Sequence, residues 1–108
     1  MAKFVTIGYG DRDGYDRTEQ GVRDAAHEHD ELLRRDSVVM GIAGPPVQVR
    51  NHAAAGVTTQ EGPFLSASLP VAGFAVIEAA TAAEAVQIAS GTPCAVAYGV
   101  VEVWPLQD

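Results

Sequence analysis

The sequence has a single cysteine, Cys94. One thiol excludes an internal disulfide framework and is typical of proteins in a reducing compartment, so we expect a cytoplasmic protein. Cys94 follows Pro93 and precedes an apolar segment. That setting favours a small buried side chain over a reactive thiol.

Basic residues are also scarce. The chain has 7 Lys and Arg against 14 Asp and Glu, which gives a formal net charge of -7. Binding to nucleic acid or to an anionic membrane needs a basic surface, so the composition argues against both partners. No Lys or Arg follows Arg50, so the acids beyond it must reach back to the first half of the chain, or to another chain, for an ion pair.

Long apolar runs and the common catalytic loops are missing. No apolar run approaches the ~20 residues of a membrane-spanning helix, and the N-terminus lacks the basic-then-apolar pattern of a secretory signal. The sequence has no glycine-rich phosphate loop and no nucleophile elbow, so we predict no cofactor. Because 47% of the 108 residues are hydrophobic, we expect residues 1–108 to form one folded domain.

Hydrophobic periodicity predicts four main strands and two helices. The predicted strands are rich in β-branched and aromatic residues and cover residues 3–9, 37–43, 73–79 and 95–104. The predicted helices, residues 17–35 and 82–90, each follow a potential capping box, Asp16 with Glu19 and Thr81 with Glu84. Residues 10–14 are expected to form a polar loop.

The first predicted helix carries an apolar stripe that is expected to face the sheet. Its members recur at helical spacing: Val22, Ala25, Ala26, His29, Leu32 and Leu33. His29 within this stripe is either a core histidine or the base of a catalytic site, since an imidazole titrates near neutral pH.

A hairpin and a turn lie in the middle of the chain. Residues 47–50 alternate apolar with polar and residues 57–60 return, which predicts a β-hairpin. Pro63 is unsuited to the interior of a paired strand, and Gly62 permits a sharp turn. Phe64 is expected to be buried as the anchor of this turn, with Glu61 at the lip of a groove.

The order of these elements predicts the fold class. Without the hairpin it is βαββαβ, the ferredoxin-like arrangement of the α+β class, in which both helices pack on one face of an antiparallel sheet. The strands are apolar on both faces, and no helix remains for the second face. We therefore expect a second copy of the chain to cover it, as a homodimer.

Residues 61–64 resemble the Asp-Gly-Pro-Phe signature of the YciI-related, or DGPF, proteins. The resemblance is strongest over residues 48–78 and 101–106, which are similar to the hairpin, the next strand and the C-terminal strand of that family. It implies a ferredoxin-like subunit that pairs as a dimeric α/β barrel. Most members have no assigned activity, one lineage is similar to a dehydrochlorinase of chlorinated hydroxyquinols, and members are often associated with sigma-factor regulation.

The sequence departs from the family pattern at several positions. Glu61 replaces the usual Asp, the uncharged residues 65–69 replace a charged run, and Trp104 stands where Arg is usual. The resemblance places the family's first-helix histidine, which is proposed to act with an Asp in a cleft, at Ala26. His29 lies one turn further along the same helix.

Five residues make up the predicted site. His29 and Glu61 are the candidate catalytic residues, and Tyr9, Arg50 and Phe64 are the candidate ligand-binding residues. Tyr9 ends a strand, where it lines a pocket or packs in the core or an interface. Arg50 is the expected partner of Glu61, because a short hairpin would bring it back towards the turn.

Two functions remain open at this point. The first is a small-molecule-binding homodimer of the YciI-related type, with a regulatory role and no chemistry of its own. The second is a small lyase or dehydrochlorinase that uses His29 as general base. No metal is predicted, because His27 and His29 are two residues apart and do not share a helix face.

Overall fold

The computed structural model describes residues 1–107 and shows an α+β chain. In chain order, its elements are β1 (Ala2–Tyr9), α1 (Arg12–Arg17), α2 (Gln20–Arg35), β2 (Val39–Ile42), β3 (Val47–Arg50), β4 (Thr58–Glu61), β5 (Val71–Ala79), α3 (Ala82–Ala89), α4 (Pro93–Val96) and β6 (Val100–Pro105). A 3-10 turn at His52–Ala54 lies between β3 and β4. No helix within residues 1–107 is long and apolar enough to cross a membrane.

Four strands form one antiparallel sheet in the order β2-β5-β1-β6. Its centre is the pairing of β1 with β5, which runs in register from Ala2 opposite Ala79 to Gly8 opposite Gly73. β3 and β4 form a separate two-stranded sheet. The predicted antiparallel sheet and the predicted hairpin are thus confirmed.

The apolar core lies between this sheet and α3. On that side the two central strands bury Phe4 and Ile77, which pack in one cluster with Ala85 of α3. Alternate residues of each strand face this cluster because successive side chains point to opposite faces of a sheet. α3 begins where the sequence predicts, with the Thr81 hydroxyl accepting a hydrogen bond from the Glu84 N–H at 3.1 Å.

The segment before α2 differs from the prediction. The Asp11 side chain accepts a hydrogen bond from the Gly14 N–H at 2.9 Å, and this cap starts a helix inside the predicted loop. Thr18 then adopts an extended conformation (φ -82, ψ 137), and Glu19 makes no side-chain hydrogen bond to the start of α2. The predicted capping box of Asp16 with Glu19 is wrong, because the earlier cap places Asp16 inside α1.

The last strand begins later than predicted. Residues 93–96 form α4, with Pro93 at its first turn, where the fixed φ of proline suits a helix. Tyr98 then has a φ of 63°, and the Gly99 N–H donates to the Cys94 carbonyl at 3.0 Å. The strand prediction for residues 95–99 is therefore wrong, because a helical turn and the chain reversal after it occupy them.

α2 turns only part of the predicted stripe towards the sheet. Val22 and Leu32 of the predicted stripe are 41% and 51% exposed. Ala26 of the predicted stripe is buried and its His29 and Leu33 are half-buried, as are Arg23 and Asp30, which lie outside the predicted stripe. The inward side of α2 therefore carries the polar side chains of Arg23 and Asp30 as well as apolar ones, whereas the sequence predicts a mainly apolar stripe.

The face of the sheet opposite α3 is apolar and open. The strand registers place Trp104, Val5, Val76 and Val39 in one row across all four strands. Val39 is 72% exposed and Trp104 is 54% exposed, and Phe74 in the next row is 47% exposed. These exposures show that the chain leaves most of this face, which we call the open face, without cover.

The molecule is extended for its length. Its radius of gyration is 15.7 Å and its principal extents are 52 × 35 × 21 Å, whereas a compact domain of this size has a radius of about 13 Å. The hairpin forms its own sheet, and its Val47 and Val49 are 58% and 65% exposed. We attribute much of the extension to this hairpin.

Candidate functional site

A cleft of about 950 Å³ lies between the hairpin and the main sheet, and we call it the hairpin cleft. Tyr9 and Phe74 line it from the main sheet, Arg50 from β3 and Phe64 from the segment after β4. The structure therefore brings together the three residues predicted to bind a ligand, although they are distant in sequence. Most of the lining is apolar, and among residues 1–107 its only charged member is Arg50.

Gln48 positions the polar part of this cleft. Its amide nitrogen donates to the Gly62 carbonyl at 3.1 Å, and its amide oxygen accepts from Arg50 Nη2 at 2.8 Å. Gln48 and Arg50 are two residues apart on β3, so their side chains share one face of the hairpin. The sequence analysis missed Gln48, although the alternation of residues 47–50 carries that signal.

The turn after the hairpin forms as predicted, but its anchor does not. Gly62 has a φ of 101°, in the region that favours glycine, and its N–H donates to the Pro46 carbonyl at 3.0 Å. Phe64 is 81% exposed, so the prediction that it is buried is wrong for the single chain. The physical reason is that the core cluster lies at the helix side of the main sheet and does not include this turn.

Glu61 does not pair with Arg50 as predicted. The hairpin register sets Glu61 opposite Val47 and Arg50 opposite Thr58, so the two charges stand at opposite ends of the ladder. Within residues 1–107 no ion pair of Glu61 is formed. Glu61 is exposed, and the residues that follow it line the cleft while Glu61 itself does not.

Tyr9 makes a polar contact between neighbouring strands. Its hydroxyl donates to Glu102 Oε1 at 2.6 Å, and the Tyr9 residue is 6% exposed. The hydrogen bond to Glu102, then burial and the negative charge of Glu102, raise the pKa of Tyr9 above its usual value. Glu102 was not among the predicted site residues.

His29 lies apart from the hairpin cleft. Its Nδ1 is 3.7 Å from Asp30 Oδ1, which is too long for a hydrogen bond, and its ring packs where a side chain at Gly91 would stand. His29 does not line the hairpin cleft, and neither does Glu61. The structure therefore does not bring the two candidate catalytic residues into that cleft.

The other two histidines have different surroundings. His27 Nε2 is 2.8 Å from the Tyr15 hydroxyl of α1, and His52 belongs to the 3-10 turn of the hairpin. Within the described part of the chain, no group of three or more His, Cys, Asp or Glu side chains is placed to hold a metal ion.

Comparison with known proteins does not indicate a function. No family model matches the sequence, and no curated protein is similar to it. The resemblance to the YciI-related proteins stays a prediction from residues 61–64.

Proposed function

We propose that this protein is a YciI-related subunit with a ferredoxin-like fold that pairs as a dimeric α/β barrel and binds a small organic anion. The observation that carries the proposal is the hairpin cleft, where Tyr9, Arg50 and Phe64 meet. The strand order β2-β5-β1-β6, with the hairpin inserted between β2 and β5, supports the ferredoxin-like assignment.

Arg50 determines the chemistry of the ligand. Its Nη2 donates to Gln48, and no carboxylate within residues 1–107 forms an ion pair with its guanidinium. A guanidinium binds a carboxylate through parallel N–H donors. The walls include the rings of Phe64 and Phe74, so the ligand combines a carboxylate with an apolar body.

The open face supports the homodimer. Contiguous apolar surface of this kind marks an interaction site on a soluble protein, and aromatic residues such as Phe74 and Trp104 are enriched in interfaces. A second copy of the chain supplies a matching apolar face, because a two-fold interface joins the same surface of both subunits. Tyr9 and Phe74 lie on this face, so the hairpin cleft borders the interface.

Binding without chemistry is favoured over lyase activity. His29 and Glu61 do not line the cleft, and the raised pKa of Tyr9 keeps its hydroxyl protonated near neutral pH. The groups that do face a ligand are a guanidinium and apolar walls, which bind and orient an anion. A sensing role in a dimer fits these properties.

The test compares an acid with its neutral amide. Isothermal titration with 4-phenylbutyrate and 4-phenylbutyramide is expected to give at least about tenfold tighter binding of the acid, because a charge-assisted hydrogen bond contributes about 1.5–3 kcal/mol. Arg50→Gln is expected to remove this preference. The matched control is Arg35→Gln, since Arg35 is exposed at the end of α2 and does not line the cleft.

Two results would overturn the assignment. One is equal affinity of the native protein for the acid and the amide, which leaves Arg50 without a role. The other is a preference for the acid that survives in the Arg50→Gln variant.

A further inference from the structure

A second cavity of about 690 Å³ lies on the helix side of the main sheet. Asp30 and Arg34 of α2 line it, together with Met40 and Ala75 of the sheet and Cys94 of α4. We call it the α2 cavity. It shares none of the predicted site residues of the hairpin cleft.

Asp30 is the unusual member of this lining. Its side chain is 19% exposed, and its Oδ1 atom is buried without a hydrogen-bond partner within residues 1–107. Burial raises the pKa of Asp30, and the nearby charges of His29, Arg34 and His27 oppose this shift only in part. A buried carboxylate oxygen without a hydrogen-bond donor is energetically unfavourable, so a bound group that donates a hydrogen bond to it would be stabilised.

The neighbouring basic groups do not supply that partner. His29 Nδ1 is 3.7 Å away and is itself buried without a hydrogen bond. His27 also lines the cavity, but its Nε2 lies 2.8 Å from the Tyr15 hydroxyl and it makes no hydrogen bond to Asp30 Oδ1. Arg34 and Arg12 also line the cavity, but both residues are exposed, and Arg34 Nη1 lies 3.8 Å from Glu31. Water screens the charges of the two arginines, whereas Asp30 Oδ1 is shielded from water.

The rest of the lining suits an apolar body. Met40, Ala75 and Cys94 contribute thioether, methyl and thiol groups, and Ala97 and Val101 extend this surface. The Cys94 thiol has a pKa raised by burial and by the negative charge of Asp30, so it is neutral near pH 7 and packs as an apolar group.

We propose that the α2 cavity is a second ligand site, which takes a protonated amine with an alkyl or aromatic body. The ammonium group donates a hydrogen bond to Asp30 Oδ1, and the body packs against Met40, Ala75 and Cys94. An ammonium supplies both the proton donor and the positive charge that a buried carboxylate needs. This ligand is opposite in charge to the anion proposed for the hairpin cleft.

The single cysteine provides the readout, because Cys94 lines the α2 cavity. Alkylation of Cys94 by iodoacetamide is measured by mass spectrometry at mildly alkaline pH, where an alkylamine stays protonated. Hexylammonium is expected to protect Cys94, with a half-protecting concentration at least about tenfold below that of hexanol. The two probes share one alkyl body, so the difference reports the ammonium group.

A matched pair of variants assigns the difference to Asp30. Asp30→Asn is expected to abolish the advantage of hexylammonium over hexanol. Asp24→Asn, on an exposed residue of the same helix, is expected to keep it. Arg50→Gln is also expected to keep it, so a failure of the hairpin cleft and a failure of the α2 cavity are distinguishable.

Equal protection by hexylammonium and hexanol in the native protein would overturn the proposal, and this comparison requires no variant to fold. Retention of the advantage in a folded Asp30→Asn variant would overturn it as well.

Discussion

The hydroxyl of Tyr9 and the carboxylate of Glu102 meet on the open face of the sheet, next to exposed apolar side chains. Ile7 is directly opposite Glu102 and Tyr9 is directly opposite Val100, so the two polar side chains are diagonal neighbours on one face. The contact therefore links β1 to the edge strand β6 at the place where the hairpin cleft begins.

Stability at high pH should report this contact. The pKa of Tyr9 is raised above 10.0, mainly by the hydrogen bond to Glu102, so the folded chain holds the phenol proton more tightly than the unfolded chain does. This contribution is complete below the unfolded pKa and is lost as pH rises through the folded pKa. We expect the free energy of unfolding, measured in urea, to fall more steeply from about pH 9 to about pH 11 in the native protein than in Tyr9→Phe. Parallel pH profiles of the two proteins would contradict the prediction.

Single residues show where sequence reasoning reaches its limit. The pattern of residues 47–50 predicts which side chains share a face, and the structure places Gln48 and Arg50 accordingly. The exposure of Phe64 could not be predicted in this way, because it depends on whether distant strands reach the turn. The predicted Glu61–Arg50 ion pair is wrong because the antiparallel register of the hairpin places the two residues at opposite ends of the ladder.

His29 of α2 packs on Gly91, which lies in the connection between α3 and α4. A Cβ atom at position 91 would lie 2.6 Å from His29 Cδ2, closer than such atoms approach. Glycine at this position therefore allows the ring to lie against the end of α3. The contact is a packing role for His29 that is independent of any role in catalysis.

A double-mutant cycle measures this packing. Gly91→Ala is expected to destabilise the native protein by about 1–3 kcal/mol, because the histidine ring must move out of its place. In a His29→Ala background the same change is expected to be nearly neutral, since the ring that obstructs the methyl group is gone. Thermal or urea unfolding provides the free energies. Gly21→Ala is the control, because no neighbour stands within 4 Å of its Cβ position.

That control should stabilise the protein by up to about 1 kcal/mol, since alanine is the better helix former. An equal loss of stability from Gly91→Ala with and without His29 would show that the close approach of the ring is not the cause.

Elements with a clear local sequence signal were predicted well. Elements for which two local signals compete, such as two possible helix caps, were not. The β-branched and aromatic residues of β1 and β5 identified both central strands, and the Thr81 cap identified the start of α3. The break between α1 and α2 was missed because Asp11 and Asp16 both look like caps, and only the folded chain selects Asp11. The inward side of α2 was predicted in part: Ala26, His29 and Leu33 face inward as expected, but Asp30 was missed because it faces a cavity rather than the core.

The proposed dimer gives a prediction for the whole molecule. Val76 lies in the middle of the open face and is 37% exposed, whereas Val22 lies on α2 and is 41% exposed. Val76→Asp is expected to convert a particle of about twice the 11.3 kDa chain mass into a single chain, because the interface would bury an unpaired charge. Val22→Asp is expected to leave the dimer intact. Light scattering behind a sizing column distinguishes the two masses.

A single-chain mass for the native protein at micromolar concentration would contradict the dimer. So would dissociation caused equally by the two substitutions, because the effect would then not be specific to the open face.

The separate hairpin has a consequence for motion. β3 and β4 pair over four residues each, with mostly exposed side chains, while β1 and β5 pair over eight positions around the core. A short ladder with little buried surface opens at lower free energy than the central strands. Amide hydrogens of Val49 and Thr59 should therefore exchange with solvent through local fluctuations, long before those of Val5 and Ile77. Because the hairpin forms one wall of the hairpin cleft, its local opening also opens the cleft. A bound anion that holds Arg50 would slow this opening.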